Sequence, residues 1–378
     1  MPHHSTPAPS LNLQIPSLHD SLPLSARLYL PPSYTRTRTA TATTTTTAWP
    51  RRLAIVAHPY APLGGNYDDR VVLRVVALLL NLDWVVATFN FRGAAGEVGK
   101  TSWTGRAEVA DYTSVVAWAL AYVQSLPGGT GAVALLLAGY SYGSLVASRL
   151  PATETGIVPL LGEGRGGSDF AVAVRAARES ARRWWDSHGG GRTSYSGSTK
   201  GRAEVLEAVE GASPSEMQAG EKCGVVSRYL LISPLLPPVS SFLLGFGSGA
   251  WAGWAKGLVG IGHHQQHRRH QHHGGEGAMD GADDGSDGGV GFGIEESGVP
   301  VLVVYGDGDT FTGVKKYRRW RERMVGASTN WSGVEVEGAG HFWHEEGVME
   351  ELEGAVRTWI GEGGGVMGGI NEGINGGY

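Results

Sequence analysis

Residues 133–144 read V-A-L-L-L-A-G-Y-S-Y-G-S, an apolar run that meets the pattern G-x-S-x-G centred on Ser141. A short apolar run bounded by glycine is typical of a strand buried on both faces, and residues 145–147 read as the start of a helix. At such a junction the pattern indicates a tight turn that holds a serine oxygen clear of its backbone. Gly139 and Gly143 suit this turn because side chains there would collide with facing backbone. The stretch therefore predicts Ser141 as a nucleophile.

Segments on both sides of this turn alternate between strand-like and helix-like patterns. Strands are predicted at 24–30 (an edge strand), 52–57, 83–91, 133–140, 228–233, 299–305 and 334–336. Helices are predicted at 71–80, 106–126 (amphipathic), 170–185, 313–324 and 347–360. This alternation is that of an α/β protein with a mostly parallel central sheet and helices on both faces.

The domain organisation follows from where this alternation is interrupted. Residues 1–50 are interpreted as an N-terminal strand region with a threonine-rich linker, and residues 51–360 as a single domain. Two irregular inserts interrupt it at about 161–224 and 241–298, and the second is expected to be largely disordered. The glycine-rich tail, 361–378, is also expected to be disordered.

Composition narrows the possible partners. The net charge of −5 argues against nucleic acid, and 41% hydrophobic residues suffice for a sizeable core. No apolar run reaches membrane-spanning length, and the first ten residues lack the features of a signal peptide. Cys223 is the single cysteine, which excludes an intrachain disulfide. We therefore expect a cytoplasmic protein without a membrane span that acts on a small molecule.

Two aspartates and a histidine follow predicted strands and are candidate catalytic partners of Ser141. Asp307 and Asp309 lie just past the strand at 299–305, and His341 follows the strand at 334–336. A serine hydroxyl is a weak nucleophile until an imidazole takes its proton and a carboxylate fixes the tautomer of that ring. The chain order Ser, Asp, His is the one expected for this type of turn.

These motifs together resemble the α/β-hydrolase superfamily, nearest to its small dienelactone-hydrolase-like branch. The resemblance is carried by H-P-Y-A-P-L-G-G, F-N-F-R-G, G-Y-S-Y-G-S, L-L-I-S-P-L, V-L-V-V-Y-G-D-G-D and G-A-G-H-F-W. It implies Ser141 as nucleophile, His341 as base and Asp309, rather than Asp307, as the acid. It also implies an oxyanion hole formed by the N–H groups of Tyr142 and Tyr60.

The loop that follows the predicted strand at 52–57 differs from the H-G-G-G loop of lipases. Pro59 and Pro62 have no N–H, so only Tyr60 and Ala61 can donate near there. His58 in the same loop is interpreted as a brace. Arg92, after the third strand, is interpreted as structural, with contact to an anionic substrate group as the alternative.

Neither a cofactor nor a metal is predicted. The histidines of 263–273 alternate with Gln and Arg, and the acidic run 280–287 lacks the spacing of a calcium loop. The sequence favours a serine hydrolase acting on an ester, thioester or related acyl compound. An Xaa-Pro dipeptidyl-peptidase-like enzyme and a non-catalytic binding protein with the same fold remain alternatives.

Overall fold

The computed structural model describes residues 7–36, 49–102, 104–126, 129–162, 168–187, 224–236, 298–327 and 330–362. In this part of the chain eight strands form one sheet: β1 Leu11–Pro16, β2 Pro23–Tyr29, β3 Trp49–Ala57, β4 Val85–Phe89, β5 Gly129–Tyr140, β6 Val225–Ile232, β7 Val301–Gly308 and β8 Trp331–Gly340. Their spatial order is β1-β2-β4-β3-β5-β6-β7-β8. The first two strands pair antiparallel, as do β2 and β4, and all other neighbours run parallel. The predicted mostly parallel sheet is confirmed.

Helices connect and cover these strands. They are α1 Pro32–Arg36, α2 Arg70–Asn81, α3 Arg106–Ser125, α4 Tyr142–Ala147, α5 Ser168–Ser187, α6 Val314–Ala327 and α7 Val348–Glu362. Short 3-10 segments span Ala61–Leu63 and Val158–Leu161, and a π-helical turn spans Thr153–Ile157. Asp69 caps α2, because its carboxylate accepts the N–H groups of Val71 and Val72.

The apolar core is divided by the sheet, because successive side chains of a strand point to opposite faces. In β3, Leu53 and Ile55 enter one cluster and Ala54 and Val56 enter the other. Helices α3, α5 and α6 contribute to the first cluster, whereas α2 and α7 contribute to the second. Both faces are thus covered, which explains why the central strands read as continuous apolar runs.

Helix α3 differs from the amphipathic helix that the sequence predicts. Every residue from Ala107 to Val123 is buried, including Glu108 and Asp111. Helix α5, which comes from the first insert, packs against α3 and contributes apolar side chains such as Phe170 and Val174 to the first cluster. The spacing of apolar residues in α3 could not reveal this, because its polar side is buried by hydrogen bonds to other segments: Ser102 donates to Glu108, and Ser17 and Arg92 donate to Asp111.

The N-terminal edge of the sheet also differs from the prediction. The strand predicted as an edge is β2, and it lies between β1 and β4. Strand β1 forms the edge, and its register with β2 runs from Leu11 opposite Leu28 to Pro16 opposite Pro23. The short strand expected at 334–336 is the middle of the longer β8. Most of the threonine-rich linker, most of both inserts and nearly all of the tail lie outside the described residues.

Candidate active site

The turn between β5 and α4 has the geometry that the glycine pattern predicts. Ser141 has a positive φ of 56° with a ψ of −115°, a combination outside the regions that L-residues ordinarily adopt. A Cβ atom on Gly139 would lie 2.2 Å from the carbonyl carbon of Gly143, and one on Gly143 would lie 2.5 Å from the carbonyl oxygen of Ala57. Both distances are shorter than van der Waals contact, so the turn excludes side chains at these positions. The backbone strain at Ser141 is typical of a functional turn.

Strand β6 holds this turn in place from the side. The Ser141 N–H donates to the carbonyl oxygen of Ile232 over 2.8 Å. The Ser144 hydroxyl donates to the carbonyl oxygen of Gly139 over 2.6 Å and accepts the Ile232 N–H over 3.0 Å. Ser144 therefore has a structural role, and the Ser141 hydroxyl is left for other partners.

Three predicted side chains meet in a chain of hydrogen bonds beyond the carboxyl ends of the strands. The Nε2 atom of His341 lies 2.8 Å from the Ser141 Oγ, and its Nδ1 atom lies 2.8 Å from Oδ2 of Asp309. All three residues are buried, with 3–5% of their surface exposed. Because an ionised carboxylate only accepts, Nδ1–H donates to Asp309 and Nε2 is left to accept the serine proton. This is the arrangement that general-base activation of a serine requires.

Asp309 is fixed by donors on two elements. Its Oδ1 atom accepts the N–H groups of Phe311, over 2.8 Å, and Thr312, over 3.0 Å. The Tyr317 hydroxyl on α6 lies 3.2 Å from Oδ2 and also 2.9 Å from the carbonyl oxygen of Pro234. Sequence reasoning missed Tyr317, whose only signal is an aromatic residue among basic ones.

Asp307, the other candidate acid, has a different partner. Its Oδ1 atom accepts the Gly338 N–H over 2.7 Å and so joins the ends of β7 and β8. The structure therefore brings Asp309, and not Asp307, to the imidazole.

His341 is held through its backbone and its ring. The Tyr140 hydroxyl donates to the His341 carbonyl oxygen over 2.7 Å, and burial raises the pKa of Tyr140, so that this donor keeps its proton. The Phe311 ring lies 4.3 Å from the imidazole, centroid to centroid. Neither contact was predicted, although Tyr140 is the first variable position of the G-x-S-x-G pattern.

The two residues predicted to supply the oxyanion donors are in side-chain contact. The rings of Tyr60 and Tyr142 are 5.1 Å apart, centroid to centroid. Within the described ranges neither backbone N–H donates to another residue. An unoccupied N–H directly after the nucleophile is what an oxyanion hole requires.

His58 has the bracing role that the sequence predicts. Its Nδ1–H donates to the carbonyl oxygen of Pro59 over 2.6 Å, and its Nε2 accepts the Phe91 N–H over 2.9 Å. Complete burial lowers the pKa of His58 to about 4, which keeps the ring neutral. The residue thereby joins the loop after β3 to the end of β4.

Arg92 is engaged within the protein. Its guanidinium donates to both carboxylate oxygens of the buried Asp111, over 2.6 and 2.9 Å, and to Asp20 over 3.0 Å. These bonds tie the β1–β2 connection to α3. The structural interpretation of Arg92 is favoured over contact with a substrate anion.

Among the described residues, no group of three or more His, Cys, Asp or Glu side chains is placed to hold a metal ion. The histidine and acidic runs of the second insert lie outside those residues. Of the helices in the described ranges, none combines the length and apolarity that a membrane crossing needs.

Comparisons with known proteins gave one partial sequence match and several structural ones. No family model matches the chain. It is 32% identical to the uncharacterized protein RP471 of Rickettsia prowazekii over 98 residues, which are 26% of this chain and only 38% of that protein.

The structural matches are broad in coverage but distant in sequence. XC6422 of Xanthomonas campestris, described as an a/b serine hydrolase without lid, is 19% identical, with 93% of this chain and 96% of that chain covered and a TM-score of 0.44. Est1E of Butyrivibrio proteoclasticus with bound ferulic acid is 14% identical, with 93% and 98% covered and a TM-score of 0.47. An α/β serine hydrolase homologue of Coxiella burnetii is 14% identical, with 93% and 98% covered and a TM-score of 0.44.

The fold itself is identified by features internal to this chain. A nucleophile-type turn joins a central parallel strand to a helix, and Ser141, Asp309 and His341 follow one another in the order that this turn type predicts. The chain has the α/β-hydrolase fold, as its motifs predicted.

Proposed function

We propose that this protein is a serine hydrolase that cleaves an ester, thioester or related acyl compound through an acyl-enzyme intermediate. The observation that carries the proposal is the buried chain of hydrogen bonds from Ser141 through His341 to Asp309, with 2.8 Å at each link. Burial strengthens these interactions and keeps the imidazole in one orientation.

The first half of the proposed reaction transfers the acyl group to the protein. The Ser141 Oγ attacks the carbonyl carbon while its proton passes to Nε2 of His341, and Asp309 stabilises the imidazolium that forms. The N–H groups of Tyr142 and Tyr60 are the proposed donors to the oxyanion. His341 then gives its proton to the leaving oxygen or sulfur atom as the bond from that atom to the carbonyl carbon breaks.

The second half releases the acid. A water molecule loses a proton to His341 as its oxygen adds to the acyl carbon, and the bond from Ser141 Oγ to that carbon then breaks. The proton returns from His341 to Oγ, so the protein regains its starting state. Water and the acyl compound are the only reactants that this sequence of steps consumes.

A fluorophosphonate probe tests the nucleophile directly, because it phosphonylates a serine only when an adjacent base activates it. We expect labelling of the folded protein at Ser141, located by peptide mass spectrometry, and none in Ser141→Ala. Ser148→Ala is the matched control, since the Ser148 hydroxyl in the same region donates to the Leu145 carbonyl oxygen over 2.9 Å. Labelling that is absent, or that persists in Ser141→Ala, would refute the proposal.

The alternatives predict different outcomes of related assays. A non-catalytic binding protein would leave Ser141 unlabelled. A dipeptidyl-peptidase-like enzyme would be labelled but would hydrolyse Xaa-Pro amides in preference to simple acyl esters. The cytoplasmic location and the absence of a nucleic-acid partner stay predictions from the sequence.

A further inference from the structure

Phe342 is exposed beside the candidate site. It shows 53% of its surface, and it is the one aromatic ring among the exposed large apolar side chains of the described ranges. A single exposed apolar residue is ordinary on a protein surface, so exposure alone indicates nothing. The position of Phe342, directly after His341, is what gives it significance.

The Phe342 ring belongs to an aromatic cluster around the imidazole. Its centroid lies 5.5 Å from that of His341 and 5.9 Å from that of Phe311, with near-perpendicular planes in both cases. His344 stacks against it with centroids 6.0 Å apart and planes 17° apart. These separations fall in the range of favourable aromatic pairs, so the ring has a defined location.

The backbone on its C-terminal side keeps Phe342 outward. Trp343 is fully buried, its Nε1–H donates to the Ser233 hydroxyl over 3.1 Å, and its φ of 56° lies in the left-handed region. Such a conformation is strained for a bulky residue. With His341 and Trp343 both anchored inside, the ring between them is held toward solvent.

The proposed reaction determines which part of a substrate would meet this ring. His341 must come within hydrogen-bond distance of the leaving-group oxygen in order to protonate it. The substituent on that oxygen therefore lies among the side chains that surround the imidazole, Phe311 and Phe342. The acyl chain, by contrast, is attached to the carbon held by Ser141.

We infer that Phe342, with Phe311, forms a binding surface for the alcohol part of the ester, an inference that rests on the proposed function. We further infer that this alcohol carries an aromatic ring. A flat aromatic alcohol can pack against both phenylalanines, whereas a short alkyl alcohol leaves Phe342 exposed to water. Phe342 is thus a specificity-determining residue, because it acts on which leaving group is accepted.

Benzyl acetate and ethyl acetate test this inference as a matched pair. They share one acyl group and their alcohols have similar acidity, so the ratio of their kcat/KM values reports contact with the alcohol. We expect the wild type to prefer benzyl acetate, and Phe342→Ala to lower the ratio about threefold to tenfold, the loss of one aromatic pair. Phe342→Tyr should restore the ratio because it keeps the ring.

Two controls separate this role from others. Val172→Ala on α5 removes an equally exposed apolar side chain, 54% exposed, and should leave the ratio unchanged. The ratio for ethyl phenylacetate over ethyl acetate varies the acyl side instead, and Phe342→Ala should not shift it.

Each remaining outcome decides against the inference. A wild type without preference for the benzyl ester, or equal losses for both acetates in Phe342→Ala, would show that Phe342 does not select the alcohol. If Ser141 is nevertheless labelled by the fluorophosphonate, the inference alone falls. If Ser141 is not labelled, the proposed function falls with it.

Discussion

The Tyr140 hydroxyl donates to the backbone carbonyl oxygen of His341 over 2.7 Å, across a separation of 201 residues. This bond joins the turn that carries Ser141 to the loop that carries its proposed base. The two halves of the site are far apart along the chain, so their spacing depends on contacts of this kind. A serine and a histidine brought together only by the sheet would be free to vary in distance, and small errors of position are costly in catalysis.

Tyr140→Phe tests this link by removing only the hydroxyl. The His341 carbonyl oxygen would lose a buried donor, which we expect to lower the free energy of unfolding by about 1–3 kcal/mol. Turnover should fall by about tenfold, because the imidazole loses part of its positioning. Urea denaturation and steady-state kinetics on an acetate ester measure the two effects.

Tyr122→Phe is the matched control for this substitution. Its hydroxyl is also buried but has no hydrogen-bond partner among the described residues. Removing it should leave both stability and turnover near the wild-type values. Equal effects of the two substitutions would mean that the bond to His341 has no special role.

Asp309→Asn tests the choice of acid. An amide at this position would favour the wrong imidazole tautomer, so we expect turnover to fall by roughly 10³–10⁴-fold while the fold persists. Circular dichroism and single-turnover kinetics check the two parts.

Asp307→Asn provides the comparison, because Asp307 braces the Gly338 N–H and does not touch the imidazole. Its effect on turnover should be less than about tenfold. A larger loss at Asp307 than at Asp309 would show that the wrong carboxylate is assigned.

Some residues of the candidate site could be predicted from the sequence, and others could not. The contact among Ser141, Asp309 and His341 could be expected because each follows a strand at the same edge of the sheet, and their catalytic roles stay predictions. Tyr140, Phe311 and Tyr317 could not be predicted, since their roles depend on which side chains pack around the ends of β5, β7 and β8. Tertiary packing sets that arrangement, and tertiary packing produces no periodic pattern in the sequence.

In the fold, too, some features could be predicted from the sequence and others could not. Alternating apolar runs predicted the central strands and their covering helices. Helix α3 was wrongly interpreted as amphipathic because its polar residues are buried as well: Glu108 accepts hydrogen bonds from Ser102, and Asp111 accepts them from Ser17 and Arg92. The edge strand is β1, in which Leu11, Leu13 and Ile15 alternate with the exposed Asn12 and Gln14.

His58 gives the folded state a pH dependence of definite sign. Its pKa is about 4 when folded, against about 6.5 when unfolded, so the unfolded chain binds the proton more readily. The stabilisation is complete above about pH 6.5 and is lost as the pH falls toward 4, by about 3 kcal/mol in total. Urea denaturation at steps between pH 4 and pH 7 measures this slope.

The contribution of His58 is isolated by comparison with His58→Gln, which cannot titrate. The difference in unfolding free energy between wild type and variant should shrink as the pH falls through this window. Only the wild type has an imidazole that takes up a proton more readily in the unfolded chain than in the folded protein. A difference that stays constant from pH 7 to pH 4 would contradict the assignment of a neutral, buried imidazole.

The last prediction separates the geometry of the turn from its chemistry. Gly143→Ala places a Cβ 2.5 Å from the carbonyl oxygen of Ala57, so we expect a loss of about 1–3 kcal/mol in unfolding free energy. Gly354→Ala is the matched control, because Gly354 lies in α7 and an added Cβ there would face open space, so alanine should stabilise by up to about 1 kcal/mol. Ser141→Ala should abolish acyl transfer while leaving stability equal or slightly higher, because strain at functional turns tends to relax when the site is emptied. Urea denaturation and ester hydrolysis on all three variants distinguish the effects. A stable Gly143→Ala protein would mean that the turn is looser than the close approach to β3 implies, and activity in Ser141→Ala would remove the nucleophile from the proposal.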